Sequence, residues 1–338
     1  MILGGDVRTV LPTLDAVSVQ CVITSPPYWG LRDYGIDNQI GLEPTPDAYV
    51  QTLVAVFREV RRVLRDDGTV WLNLGDSFLD KQLTGIPWRV AFALQADGWY
   101  LRSDIIWAKG VSFCPAYSGS VMPESVTDRP TSAYEHMFLL TKQARYYYDA
   151  DAVRGGAISG GTGDTGNDVT GRNLRNVWAI NPQPFSEAHF ATFPMELVEP
   201  CIKAGSSQKG QCVACGSPWE RVVGPAAIKS TKSPAVGSKY SASDQAGSLS
   251  GNRAAYRAAG MEGPPPRQIT GWQPSCECHA DTVPQTVLDP FAGSGTVGCV
   301  ALKLGREFVG IELNPAYCTM ARESIMGPLF AGPSSKVT

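Results

Sequence analysis

Near the start of the chain, Ser25-Pro26-Pro27-Tyr28 brings together a hydroxyl, two rigid imino acids and an aromatic ring. The prolines fix the backbone, so the Ser25 hydroxyl and the Pro26 carbonyl are two acceptors held at a set separation, able to receive both hydrogens of an exocyclic amine. An aryl amine is a poor nucleophile because its lone pair is delocalised into the ring. Acceptors at its hydrogens favour the pyramidal, localised form, and Tyr28 offers a face on which a flat base can stack. The plainer reading is a strand that ends in a Pro-Pro turn, with Tyr28 and Trp29 packing nearby.

A second cluster, Asp289-Pro290-Phe291-Ala292-Gly293-Ser294-Gly295-Thr296, lies near the end of the chain. It sits between an apolar run, Thr286 to Leu288, and a helical stretch, Thr296 to Leu304. Its glycines therefore fall where a backbone must turn tightly and approach a ligand. No Lys follows them, which excludes a triphosphate-binding loop of the usual pattern. Phe308 to Glu312 reads as the next strand. It ends in an acid about 20 residues after the glycine turn, the position from which a carboxylate accepts hydrogen bonds from ribose hydroxyls.

The elements that position these clusters alternate in type. Val19 to Thr24 is a buried-strand run stopped by the Pro pair. Asp47 to Leu64 carries Val50, Leu53, Val54, Phe57, Val60 and Leu64 at helical spacing, with Asp66-Asp67-Gly68 expected to close the helix before a strand from Thr69 to Leu74. A helix over Pro87 to Ala96 and strands near Tyr100 to Ala108 and His136 to Thr141 continue the rhythm of a doubly wound α/β sheet. After Glu312 there is room for one helix, Pro315 to Ile325, and not for another strand-helix unit. Met1 to Gly4 is thus expected to supply the missing third strand, which makes the sheet circularly permuted. Arg58, Arg61, Arg62 and Arg65 read as a solvated helix face.

With 338 residues, 43% of them hydrophobic, the chain can build one large α/β domain with insertions, and disorder throughout is excluded. No basic region followed by an apolar run opens the sequence and no apolar stretch is long enough to span a bilayer, so a cytoplasmic protein is expected. The net charge is −3, yet residues 203–271 hold nine Lys and Arg against three Asp and Glu. A polyanionic partner would meet that stretch, which is also rich in Ser, Gly, Ala and Pro.

Nine cysteines without a secretion signal argue for reduced thiols. Cys212 and Cys215 form one close pair and Cys276 and Cys278 another, flanking the basic stretch, with His279 as a spare ligand. Zinc would staple that stretch, and incidental thiols are the alternative. Cys21, Cys114, Cys201, Cys299 and Cys318 are isolated and read as packing residues.

The two motifs and their order resemble the S-adenosylmethionine-dependent DNA amino-methyltransferases of the β group, in which the catalytic motif precedes the cofactor motif. The resemblance covers most of the chain outside 203–271. It implies a Rossmann-like methyltransferase fold with a mostly parallel, doubly wound sheet. It also implies that Ser25, Pro26, Pro27 and Tyr28 hold a flipped base. Asp289, Phe291, Gly293, Ser294, Gly295 and Thr296 would meet the methionine half of the cofactor, Glu312 its ribose and Asp6 its adenine edge. Phe193, in the segment His189 to Pro194, would pack beside the cofactor carboxylate. Arg154, Arg172 and Arg175 fall where the family carries its target-recognition segment and read as phosphate contacts rather than base readers.

The expected organisation is a catalytic half at 1–150, a recognition segment at 151–185, a cofactor-side segment at 186–202, a basic zinc-stapled insertion at 203–284 and a cofactor-binding half at 285–338. Double-stranded DNA is the expected partner, and a companion restriction endonuclease is left open. Ser at the first motif position places cytosine N4 ahead of adenine N6 as the target. Asp would be the stronger acceptor, but either fits either base. A protein glutamine methyltransferase, which would carry Asn-Pro-Pro-Tyr after the cofactor motif, and a silent nucleic-acid-binding module are the rivals.

Overall fold

Among the described residues eight strands form one sheet: Ile2–Gly4 (β1), Val19–Thr24 (β2), Leu64–Leu74 (β3), Tyr100–Ala108 (β4), Tyr134–Thr141 (β5), Val177–Ala179 (β6), Thr286–Asp289 (β7) and Glu307–Glu312 (β8). The structure is a computed structural model that describes residues 1–109, 126–154, 172–182, 194–225 and 267–327. The strand order is β1-β8-β7-β2-β3-β5-β4-β6. Only β5 runs against its neighbours, pairing antiparallel with β3 and β4, and the other pairings are parallel. The first strand in the chain lies beside the last, with Ile2 opposite Gly310 and Gly4 opposite Glu312. This is the circularly permuted arrangement that was expected.

β2 is buried at all six positions, as a strand covered on both faces must be. On one face, Val22 of β2 and Val70, Leu72 and Leu74 of β3 join Leu53, Phe57 and Val60 of the helix Pro46–Val63 (α1) in a single apolar core. Val90 and Leu94 of the helix Ile86–Ala96 (α2) enter the same core. On the other face Gly205, at the end of the helix Met195–Gly205 (α3), touches Cys21, Thr69 and Trp71; a Cβ there would lie 2.4 Å from the Thr69 hydroxyl. The helices Thr296–Lys303 (α4) and Pro315–Met326 (α5) follow β7 and β8 respectively. Two helical layers around a mostly parallel sheet bury the long apolar runs that the sequence presents.

One expectation is corrected. Asp66-Asp67-Gly68 does not close a helix; α1 ends at Val63 and β3 starts at once at Leu64. Leu64 pairs with Val19, and Thr69 with Cys21, so the extra residues are taken up as an irregularity in the β2–β3 register. Gly68 is needed there, because a Cβ would lie 2.8 Å from the Gln20 carbonyl. The α1 arginines also do more than face solvent. Arg58 pairs with Asp97 at 2.6 Å, and Arg62 donates to the Leu11 and Leu14 carbonyls at 3.0 and 2.9 Å, tying α1 to neighbouring loops.

The chain divides into a larger unit (1–149, 175–219 and 274–338) and a smaller one (150–174 and 220–273). The eight-stranded sheet belongs to the larger unit. The smaller contains most of a two-stranded sheet, Trp219–Pro225 with Arg267–Pro274, on which Arg221 lies over the Trp272 ring at 4.6 Å. Among the described residues no helix is long and apolar enough to cross a membrane.

Candidate active site

β2 and β7 are paired neighbours, Val22 opposite Leu288, so the residues that follow them leave the same edge of the sheet side by side. Ser25 to Tyr28 extends from β2 and Pro290 to Thr296 from β7, and both segments line one cavity of about 440 Å³. That volume is in the range of sites for drug-sized and nucleoside-sized ligands. Gly5 and Asp6, after β1, and Glu312, at the end of β8, complete the same wall. Ligand sites of open α/β sheets form at such carboxyl ends of strands.

On the glycine-turn side, Gly295 has a left-handed backbone (φ 84°) as it caps α4, and a Cβ there would press on Ala321 at 3.1 Å. Phe291, Gly293, Ser294 and Thr296 line the cavity, whereas Asp289 lies beneath it, 1% exposed. One Asp289 oxygen accepts from the Thr24 hydroxyl at 2.7 Å and from the Phe291 amide at 3.0 Å, which fixes the turn to the end of β2. Burial pushes the Asp289 carboxyl up to about 7, against the partial relief of these two donors. Glu312 accepts from the Gly293 amide at 2.8 Å and from the Asn314 amide at 2.7 Å, and burial raises its pKa too. Asp6 caps the short helical turn after it, accepting from the Arg8 amide at 2.8 Å, and its carboxylate is also paired with the Arg8 guanidinium at 2.5 Å. That pairing holds the Asp6 pKa below the usual carboxylate value.

On the Pro-Pro side, Tyr49 donates to the Pro27 carbonyl at 2.8 Å and Trp29 donates to the Glu43 carbonyl at 2.8 Å, so the turn is anchored on both flanks. Ser25 Oγ donates to the Tyr28 hydroxyl at 3.1 Å. The Tyr28 oxygen lies 2.7 Å from Glu135 Oε2 and 3.1 Å from Asn73 Oδ1. Burial and the Glu135 charge push the Tyr28 hydroxyl well above the usual phenol range, so it stays protonated. The ring rests on Gly75, where an added Cβ would come within 2.6 Å of Tyr28 Cε2.

A protein-family model described as DNA methylase matches residues 19–214 and 281–323, which together hold both motifs and the strands behind them. The chain is 39% identical to the Type II methyltransferase M.XycI of Xanthomonas campestris pv. cyanopsidis, over 96% of this chain and 86% of that one. It is 35% identical to the Type II methyltransferase M.SmaI of Serratia marcescens, over 96% of this chain and 90% of that one. The chain belongs to the N6/N4 DNA methylase family. The methylase is thus an enzyme of the S-adenosylmethionine-dependent amino-methyltransferases that act on DNA. Its fold is shared with the PvuII DNA methyltransferase, described as cytosine-N4-specific (TM-score 0.58, 17% identity, 97% of this chain and 86% of that one). It is shared also with TTHA0409 of Thermus thermophilus, solved with S-adenosyl-L-methionine (TM-score 0.52, 20% identity, 96% of each chain).

Among the polar residues of the methylase cavity that were missed in the sequence are Asn73 at the end of β3, Lys109 just after β4, and Glu135 on β5. Asn73 did carry a signal. A polar residue inside the apolar run Val70 to Leu74 must find a partner, and its side-chain amide donates to the His136 carbonyl at 3.1 Å. Lys109 and Glu135 are one short ion pair brought together by β4–β5 pairing, which no local pattern encodes. Tyr34 and Tyr317, ring centroids 6.3 Å apart and edge to face, also line the cavity.

Of the other candidates, those among the described residues lie outside the cavity. Arg154 is held by Asp151 at 2.6 Å and Asn173 at 3.2 Å, whereas Arg172 and Arg175 are exposed. Phe193 lies outside the described residues. His136 is structural, bonded to Asp104 at 2.8 Å and stacked on Phe138, and Trp178 is a buried sheet residue beside Trp71.

The ligand atoms of Cys212, Cys215, Cys276 and Cys278 all lie within 4.8 Å of one another. The Gly216 amide donates to the Cys212 carbonyl at 2.8 Å with Gly216 at φ 72°, which turns Cys215 back toward Cys212. Gln211–Cys212 pairs antiparallel with Thr282–Val283, which holds the two halves of the cluster together. The nearby Ser217 hydroxyl lowers the Cys215 thiol to about 6, while hydrogen bonding to Cys215 raises Cys278 to about 12.

Proposed function

We propose that the protein transfers a methyl group from S-adenosylmethionine to the exocyclic N4 of cytosine in a base flipped out of double-stranded DNA. The observation that carries this reading is the shared cavity: Ser25 and Tyr28 line the side next to Asn73 and Glu135, and the glycine turn with Glu312 lines the other. When bound, the cofactor supplies an electrophilic methyl on a sulfonium. The residues do the rest by position. Ser25 and the Pro26 carbonyl accept from the amine, the Tyr28 ring supports the base, and the Phe291 to Thr296 turn with Glu312 would hold the donor so that proximity provides most of the acceleration; the N–C bond forms as the S–C bond breaks to leave a thioether, and the amine releases one proton to solvent. The amides at the start of α4 suit the cofactor carboxylate. Asp6 and Phe193 are kept as its adenine-side and carboxylate-side neighbours.

Ser25 in place of Asp is what favours cytosine over adenine. Arg172 and Arg175 are exposed for phosphate contact, with Arg154 bracing their segment. The Type II relatives suggest a companion endonuclease that reads the same sequence. Four thiols from two close pairs also fit a structural zinc. Tetrahedral Zn–thiolate bonds of about 2.3 Å place sulfurs about 3.8 Å apart, a small contraction of the cluster seen. Labelled cofactor incubated with unmethylated DNA should leave the label in the DNA; cofactor binding with no label transferred would reject the proposed function.

A further inference from the structure

The cavity holds an ion pair to which methyl transfer, as derived above, gives no part. Lys109 and Glu135 are largely buried, with side chains 24% and 13% exposed, and the ammonium also sits over the Trp107 ring, 4.6 Å from its centroid. Lys109 occupies Glu135 Oε1. The second oxygen, Oε2, faces Tyr28 at 2.7 Å.

Tyr28 has one proton to give and two acceptors beside it, Glu135 Oε2 and Asn73 Oδ1. The Asn73 orientation is fixed, because its amide nitrogen donates to the His136 carbonyl. An ionised carboxylate at 2.7 Å outcompetes a neutral amide oxygen at 3.1 Å, so the Tyr28 proton points at Glu135. The phenolic lone pairs are then left to Ser25, which donates its only proton to Tyr28 at 3.1 Å. With that proton spent, Ser25 has nothing but lone pairs to offer the cavity it lines. A free serine hydroxyl would rotate, and in some orientations would present a proton to an amine that needs an acceptor.

We propose that Lys109 and Glu135 are positioning residues that set the direction of the hydrogen-bond chain Ser25 to Tyr28 to Glu135, and so fix Ser25 as an acceptor for the target amine. The inference rests on the proposed role of Ser25. Its reach extends to specificity: a site whose hydroxyl can only accept favours a base that carries an amine at this position and disfavours one that carries a carbonyl. Replacing Glu135 by Gln keeps the shape. Lys109 retains the oxygen, so the new amide N–H faces Tyr28 at the shorter distance, competes with Ser25 for the phenolic lone pairs and loosens the hold on the Ser25 proton, while the Tyr28 proton turns to Asn73.

The test compares wild type, Ser25→Ala, Tyr28→Phe, Glu135→Gln and the Tyr28→Phe/Glu135→Gln double variant, using single-turnover methyl transfer together with cofactor and DNA affinities. Losing one preorganised hydrogen bond at a reacting group slows chemistry about 100-fold. The expected result is a loss of at least about 10-fold in rate for Glu135→Gln and Tyr28→Phe, with both affinities unchanged and the double variant no slower than the worse single one. Binding gives a second readout: wild type should prefer duplexes with an amine over a carbonyl on the target base, and Glu135→Gln should lose that preference. Near-normal rate in Glu135→Gln, additive losses in the double variant, or an unchanged amine preference would overturn the inference. If Ser25→Ala stays active, the role of Ser25 itself fails; if Ser25→Ala is inactive and Glu135→Gln is not, only the chain of positioning fails.

Discussion

Asp289→Asn should stabilise the cofactor-free protein at alkaline pH while leaving its stability in acid almost untouched. The wild-type carboxyl is 1% exposed, and burial raises its pKa from 3.8 to about 7. Between about pH 4 and pH 7 the folded protein keeps a proton that the unfolded chain has released, so stability falls as pH rises through that window and levels off above it. Raising the carboxyl from 3.8 to about 7 corresponds to about 4 kcal/mol, an upper figure because a buried site relaxes around its charge. The substitution preserves an oxygen for the Thr24 hydroxyl and the Phe291 amide, so the turn keeps its two hydrogen bonds. Glu312, whose pKa is also raised, is common to both proteins and largely cancels in the comparison. Urea unfolding followed by tryptophan fluorescence at pH 5 and pH 8 measures the difference directly. The variant should gain up to about 4 kcal/mol over wild type at pH 8 and lose most of that gain by pH 5. A difference that does not grow with pH would refute the reasoning.

Gly75→Ala places a methyl 2.6 Å from the Tyr28 ring and should cut methyl transfer at least tenfold, an order expected for a small displacement at the reacting group, with cofactor affinity by calorimetry intact. Glu312→Ala removes the acceptor of the Gly293 and Asn314 amides; with about 1–3 kcal/mol at stake for each orphaned donor, cofactor affinity should fall about 10-fold or more. For the thiol cluster, elemental analysis should find one zinc per chain, lost in Cys276→Ser/Cys278→Ser, and cofactor affinity should be unchanged because the cluster shares no residue with the cavity.

The strands that carry the two motifs could be read because each is a short apolar run ending in residues that only a turn accommodates: Thr24 before Ser25-Pro26, and Asp289 before the Gly293 and Gly295 turn. Even the pairing of Ile2–Gly4 with Glu307–Glu312 was in line with the order of the motifs. What could not be read were contacts made by tertiary pairing. Lys109 and Glu135 meet because β4 and β5 are antiparallel neighbours, and Thr24 reaches Asp289 because β2 lies beside β7. Gly68 was misread because Asp-Asp-Gly makes equally good turn and bulge chemistry, and only the close approach of the Gln20 carbonyl decides between them.

Ser25 and its neighbours are proposed to direct a methyl group to the amine of cytosine. Nucleoside mass spectrometry of unmethylated DNA, digested after incubation with the protein and S-adenosylmethionine, tests this most directly. N4-methylcytosine is expected with the native chain and none with Ser25→Ala; N6-methyladenine in its place, or a Ser25→Ala protein that still methylates, would rule out this role for Ser25.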